Sequence, residues 1–146
     1  MYTAGSRSLQ RFVDAQSNII DDVFKELKNG KKQSHWMWFV FPQLTALGRS
    51  ATAKTYGIDS LEEAQAYLSH PILGERLIKC SETVLGHSGR TAHEIFGSPD
   101  DLKFKSCMTL FREADPRIQT FDLALKMFFD GFPDHLTLNL LNAPTA

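Results

Sequence analysis

The sequence predicts an all-α fold: a single compact domain of about seven or eight mostly short helices, arranged as a bundle or as layered helix pairs. Apolar residues recur at the helical period, and helix-capping residues alternate with helix-ending glycines along the chain. No segment shows a convincing strand pattern. A length of 146 residues suits one domain. We expect the domain to span residues 8–141, with flexible termini at 1–7 and 142–146.

The N-terminal part of the chain contains one long and one short predicted helix. Ser8 can cap a helix whose apolar positions run from Leu9 to Leu27, and Asn29-Gly30 ends it. The aromatic run from His35 to Phe41 is predicted to be a short buried helix, because no second strand is available to pair with it. Pro42 stops this helix.

The rest of the chain repeats the same start and stop signals. Ser60 and Thr91 are each followed by glutamate three residues later, which predicts two capping boxes. The pairs Ser98-Pro99 and Asp115-Pro116 place a capping residue and a proline where helices begin. The predicted helices cover residues 50–56, 61–69, 72–85, 91–97, 102–114, 117–130 and 135–141.

The composition argues against several classes of protein. Sixteen Lys and Arg against seventeen Asp and Glu give a formal charge of −1, whereas non-specific nucleic-acid binding needs a basic surface. Nucleic acid is therefore not an expected partner. The N-terminus lacks the pattern of a signal peptide, and the longest apolar run, Trp36 to Phe41, is too short to cross a bilayer. We expect a cytoplasmic protein without membrane contact; the oligomeric state stays open.

Two cysteines, Cys80 and Cys107, each fall on the apolar side of a predicted helix. Two isolated cysteines form neither a disulfide framework nor a zinc site, so we expect both to be reduced core residues. No metal-ligand spacing, glycine-rich phosphate loop or Ser-His-Asp order is present. Neither a metal nor a cofactor is expected.

Four polar side chains fall on, or at the edge of, helix faces that are otherwise apolar. Gln16 lies near the centre of one apolar arc, Arg76 at the edge of another, and Lys103 within a third, with Ser106 one turn further on. A buried amide needs hydrogen-bond partners and a buried cation needs a counter-charge. Two interpretations stay open: structural bonds with lysine and arginine heads reaching water, or one polar site that meets a ligand.

The aromatic run supplies further candidates. His35 precedes it and is the best candidate for a general acid or base, although a lone histidine is more often structural. Trp36 and Trp38 lie on different helix faces, so at least one should pack in the core while the other could line a pocket and stack on a planar ligand. Trp36 is the candidate pocket residue. Gln43 follows the run and could orient a ligand.

Several stretches together carry a family resemblance: His35 to Gln43, Leu47 to Ser50, His70-Pro71, and Lys103 with Ser106 to Phe111. The chain resembles, from about Leu9 to Leu141, the bacterial domain-of-unknown-function family numbered 1810, sometimes labelled calpastatin-like. The resemblance implies a mainly α-helical domain of uncharacterised activity and supplies no substrate or catalytic residue. Cys107 stands where the family usually has serine, which fits a small buried packing position.

The family pattern also contains the polar candidates, namely Gln16, His35, Gln43, Arg76, Lys103 and Ser106. We therefore expect a small-molecule pocket, cationic and lined by aromatic rings, for an anionic ligand such as a phosphate, nucleotide or carboxylate. Arg76 and Lys103 would hold the charge, while Gln16, Gln43 and Ser106 would orient the ligand. Whether chemistry follows binding stays open.

The alternative is a protein-interaction module without enzymatic activity. Such a module would present an exposed apolar patch, to which Trp36 or Trp38, Leu123 and Met127 could contribute. Leu123 and Met127 face away from the main apolar stripe of their helix. We expect them to contact another helix of the same chain.

Overall fold

The structure, a computed structural model, describes residues 8–142 and is all-α over that range. Its α-helices are α1 (Gln10–Ser17), α2 (Ile20–Lys28), α3 (Met37–Val40), α4 (Ala51–Thr55), α5 (Leu61–Ser69), α6 (Leu73–Leu85), α7 (Ala92–Phe96), α8 (Asp100–Ala114), α9 (Gln119–Phe129) and α10 (His135–Asn142), with a 3-10 turn at Thr45–Leu47. The described residues form no strand; an isolated parallel bridge joins Leu44 and Ile58. The predicted fold class is confirmed, with slightly more helices than expected.

The additional helix comes from a break in the first predicted one. The chain leaves the helix at Asn18, the C-cap of α1, and α2 begins two residues later. Ser17 turns its hydroxyl to the carbonyl oxygen of Asp14, 2.9 Å away. Serine and asparagine compete in this way with helical hydrogen bonds, which explains the break although the apolar pattern continues across it.

Helix α8 lies at the centre of the domain, in contact with α5, α7, α9 and α10. Its fully buried Phe104 stacks on Phe96 with 4.6 Å between ring centroids and meets Phe41 edge-on at 5.1 Å. These are the offset and edge-to-face arrangements that aromatic pairs prefer. Several of the eleven phenylalanines of the chain therefore pack around one central helix.

Three of the predicted helix starts are confirmed by their caps. Ser50 accepts the amide of Ala53 at 3.0 Å, and Ser60 accepts that of Glu63 at 3.1 Å. Thr91 and Glu94 form a complete capping box. In the capping box expected at Ser60, however, the Glu63 carboxylate accepts the amide of Asp59 at 2.7 Å rather than the amide of Ser60.

The starts expected at the two proline pairs are wrong. Helix α8 begins at Asp100, after a cis Ser98–Pro99 bond, and Pro99 takes the N-cap position that we expected for Ser98. Asp115 accepts the backbone amide of Arg117 at 3.1 Å and its side chain at 3.0 Å, but this contact closes only a turn, and α9 begins at Gln119 with Ile118 at the N-cap.

The last helix runs one residue past its predicted end. Helix α10 includes Asn142, the first residue of the predicted C-terminal tail, while residues 1–7 and 143–146 lie outside the described residues. None of the helices described is long and apolar enough to span a bilayer.

Cys80 and Cys107 are free and buried, as expected. Burial raises the pKa of the Cys80 thiol to about 12 and raises that of Cys107 as well.

Candidate functional site

An open groove of about 640 Å³ runs along the first turns of α8. Its other walls come from α3, the 3-10 turn, the start of α4 and the start of α10. It combines three cations, one carboxylate, a tryptophan and several apolar side chains. The lining residues are Trp38, Gln43, Leu47, Gly48, Arg49, Ser50, Ala53, Pro99, Leu102, Lys103, Lys105, Ser106, Asp134 and Leu136.

The wall that contains Gln43 is held by the bridge between two loops. Ile58 donates its amide to the Gln43 carbonyl at 2.9 Å, and Thr45 donates to the Ile58 carbonyl at the same distance. Gly57 permits this approach, since a β-carbon there would lie 2.5 Å from Thr45 Oγ1. These backbone bonds place Gln43 at the groove independently of its own side chain.

Lys103 reaches across the groove to Trp38. Its ammonium lies 5.1 Å from the Trp38 ring centroid, which is a cation–π distance. The same ammonium is 3.5 Å from Asp100, whose other carboxylate oxygen lies 3.0 Å from the ammonium of Lys32. One carboxylate therefore serves two lysines, and the charge of Lys103 is only partly compensated.

Arg49 is the most available cation of the groove. Its side chain is exposed and forms no hydrogen bond or ion pair with the residues that the structure describes. Lys105 contributes to the wall while its ammonium lies 5.7 Å over the ring of Phe129. Sequence reasoning missed both cations as site residues, because neither breaks an apolar pattern.

Ser106 and Asp134 meet at the α10 side of the groove. Ser106 Oγ lies 3.1 Å both from the Leu102 carbonyl and from Asp134 Oδ2, and its single proton can serve one of them at a time. Asp134 also caps α10 by accepting the amide of Thr137 at 3.1 Å. The spacing of Asp134 and Thr137, just after Pro133, is the signal that could have marked this cap.

Gln16 and Arg76, two predicted site residues, lie outside this groove. Gln16 is buried and donates from Nε2 to the carbonyl of Phe39 at 2.6 Å and to the hydroxyl of Tyr67 at 3.2 Å. Its Oε1 accepts from Arg76 at 3.2 Å. Burial raises the pKa of the Tyr67 phenol, which keeps its hydroxyl protonated. These bonds join α1, α3, α5 and α6, and they match the structural interpretation of Gln16.

Trp36, the predicted pocket tryptophan, is a core residue with 1% of its surface exposed. Its indole N–H donates to Glu26 Oε1 at 3.0 Å. A buried indole requires such an acceptor, and Glu26 supplies it from α2. The tryptophan of the groove is instead the half-buried Trp38. Glu26 was not singled out in the sequence.

His35 is exposed in the turn before α3 and forms no hydrogen bond or ion pair with the described residues. No histidine among residues 8–142 lines the groove. Of the seven predicted site residues, the structure thus brings three to the groove: Gln43, Lys103 and Ser106. The other four lie elsewhere, so the expected convergence on one cavity holds only in part.

Comparisons with known proteins agree with the architecture. The chain is similar to the conserved hypothetical protein Rv1873 from Mycobacterium tuberculosis, whose crystal structure matches with a TM-score of 0.91 and 51% identity, over 93% of this chain and 97% of that one. No curated protein matches the sequence. The model of a family described as protein of unknown function, DUF1810, matches residues 6–141. The chain therefore belongs to the DUF1810 family.

Proposed function

We propose that this protein binds an anionic small molecule, such as a phosphate, nucleotide or carboxylate, in the groove along α8. The observation that supports it most is that two cations, Arg49 and Lys103, line one groove, with Lys103 over the ring of Trp38. Arg49 has no partner among the described residues, and Lys103 shares its only carboxylate with another lysine. Partly uncompensated cations in a concave site attract anions.

The composition of the groove also favours a ligand with an apolar part. Leu102 and Leu136 line it although 59% and 63% of their surfaces are exposed. Small-molecule sites are commonly apolar with a few polar groups that fix orientation. Gln43 and Ser106 are the neutral polar groups suited to that role. Trp38 offers a ring beside them.

A smaller groove of about 460 Å³ between α8 and α9 is a weaker candidate. It contains Arg112 and Lys126, which pair with Asp122 at 3.4 Å and 3.0 Å, and Arg112 also pairs with Glu113 at 3.1 Å, so two carboxylates match the two cations. Cations that are neutralised in this way offer less to an anionic ligand. The groove along α8 is therefore preferred.

The proposal is tested by thermal unfolding with three probes: inorganic phosphate, a nucleoside monophosphate and an aromatic carboxylate. A ligand at 100 times its Kd adds about 2.7 kcal/mol of stability, which raises Tm by about 9 °C for a chain of this size. Lys103→Met keeps the apolar stem over Trp38 and removes the charge. We expect it to lose at least half of the rise.

Lys79→Met is the matched control, because Lys79 also lies over an aromatic ring, 4.9 Å from that of Phe24, yet does not line the groove. It should retain the full ligand-induced rise in Tm. An equal rise in both variants would place any anion elsewhere and refute the proposed site.

A second candidate function, a protein-interaction module, is favoured by α9. Leu123 and Met127 lie one turn apart with 47% and 43% of their surfaces exposed, so the rest of the chain leaves much of both side chains uncovered. Trp36 cannot contribute to such a patch because it is buried. Light scattering of the wild type and of Leu123→Ser/Met127→Ser tests self-association through this face: a larger mass in the wild type alone supports it.

We also propose a cytoplasmic location. Both cysteines are free thiols that no solvent reaches, and free thiols are typical of proteins kept in reducing compartments. Fractionation of cells that produce the protein would check this location.

A further inference from the structure

We propose that the ligand of the groove is zwitterionic, and specifically an amino acid with an apolar side chain. This inference rests on the proposed anion site and adds a second charge to its ligand. The ammonium group would bind Asp134, and the carboxylate would bind Lys103 and Arg49. Both charges of the ligand would then be matched by groups that line one groove.

Asp134 is the one carboxylate among the residues that line the groove. Its Oδ2 accepts hydrogen bonds from Ser106 Oγ at 3.1 Å, from the Thr137 amide at 3.1 Å and from the Thr137 hydroxyl at 2.6 Å. Its Oδ1 accepts none from the described residues. One oxygen thus caps α10, while the other is left for a ligand.

Within the described residues, the charge of Asp134 is not paired with a cation, and one of its oxygen atoms is open to solvent. No lysine or arginine of the described chain pairs with Asp134, although three cations line the same groove. Asp134 is only half-buried, and the buried side-chain oxygens without a hydrogen-bond partner in the described part of the chain are Glu63 Oε2 and Ser81 Oγ. Asp134 Oδ1 is not one of them, so solvent reaches it. A carboxylate in this setting repels a simple anion and attracts a group that carries a positive charge.

Lys103 and Asp134 are attached to the same part of α8. Ser106, which contacts Asp134, follows Lys103 by three residues, so their backbone positions are roughly 4.5 Å apart along the helix axis. Lys103 and Asp134 also line the same groove. An α-amino acid carries its ammonium and carboxylate on one carbon atom, and the long side chain of Lys103 would bring its charge to that carboxylate while Asp134 binds the ammonium.

The groove also presents apolar surface that suits an apolar side chain of the ligand. Leu102 and Leu136 expose apolar surface to the groove, and Trp38 adds one face of an aromatic wall. A polar amino acid would leave these surfaces without a partner. An aromatic or branched apolar side chain would cover them and gain from removing them from water.

A matched ligand series separates the two charges. Isothermal titration of the full chain with phenylalanine, 3-phenylpropionate and phenethylamine compares the zwitterion with the same molecule lacking the ammonium or the carboxylate. We expect phenylalanine to bind at least tenfold more tightly than either of the other two. Equal affinity of phenylalanine and 3-phenylpropionate, or no binding of phenylalanine, would overturn the inference.

Asp134→Asn supplies the matched variant, because asparagine is as good an N-cap as aspartate and keeps an oxygen for the Thr137 amide. We expect this variant to lose the advantage of phenylalanine while it binds 3-phenylpropionate as well as the wild type or better. An unchanged preference for phenylalanine would contradict the assigned role of Asp134. Binding of 3-phenylpropionate or phosphate that depends on Lys103 would leave the anion site standing even then, so the two proposals can fail separately.

Discussion

Glu26 holds the segment before α3 in place through four hydrogen bonds. Its carboxylate accepts from the amides of Gln33 and Ser34 at 2.6 and 2.9 Å, from the Ser34 hydroxyl at 2.5 Å and from the Trp36 indole at 3.0 Å. Burial alone would raise the pKa of Glu26, but these donors outweigh it and lower the pKa from 4.5 to about 2. The charged form is therefore the native one.

Glu26 makes the free energy of unfolding depend on pH. Because the folded pKa lies below the unfolded one, the contribution is present above about pH 4.5 and is lost as pH falls towards 2. Glu26→Gln should cost on the order of 2 kcal/mol at pH 7. Urea unfolding of the wild type and of Glu26→Gln should show that the difference between their free energies of unfolding falls by about half from pH 7 to pH 3. An equal difference at pH 7 and pH 3 would contradict the assigned role of Glu26.

At the residue scale, burial of polar groups was predictable but their partners were not. The helical wheel indicated that Gln16 points inward, and the structure supplies partners from three other helices. The choice between Trp36 and Trp38 could not be made from periodicity, because α3 is a single turn. Glu26 decides it by accepting the indole of Trp36.

At the scale of elements, local chemistry predicted most helices well. Ser50, Ser60 and Thr91 start helices because each satisfies a backbone amide of its own first turn. The break at Asn18 could not be read from the sequence, since apolar residues continue at the helical spacing on both sides. The structure shows that Ser17 bonds back to the Asp14 carbonyl there, which favours the end of α1.

The junction of α5 and α6 depends on a glycine. A β-carbon on Gly74 would lie 2.0 Å from the carbonyl oxygen of Leu68, so the two backbones can approach this closely only without a side chain. Gly74→Ala should destabilise the protein by about 2–4 kcal/mol, because backbone must move to remove the overlap. The measurement is urea unfolding at neutral pH.

Gly89→Ala is the control for this prediction, since nothing lies within 4 Å of a β-carbon at that position. It should change the free energy of unfolding by less than about 0.5 kcal/mol. A similar loss in both variants would show that backbone freedom, and not the contact with Leu68, governs the effect.

At the scale of the whole molecule, the groove brings together residues from distant parts of the chain. Gln43, Lys103 and Asp134 meet because the bridge at Leu44, the central helix α8 and the cap of α10 adjoin one another. A single sequence indicates which side chains are polar on an apolar face, but not which of them share a cavity. That is why Gln16 and Arg76, equally conspicuous in the sequence, belong to a separate structural cluster.

The position of the bound anion distinguishes the groove from the cluster of Gln16 and Arg76. Amide chemical shifts of the ¹⁵N-labelled wild-type chain would be followed while the tightest of the three anionic probes is added. We expect the largest changes at Gly48 to Ser50 and at residues 102–106, with little change around Gln16 and Arg76. Changes centred on Gln16 and Arg76, with the groove unaffected, would contradict the proposed site.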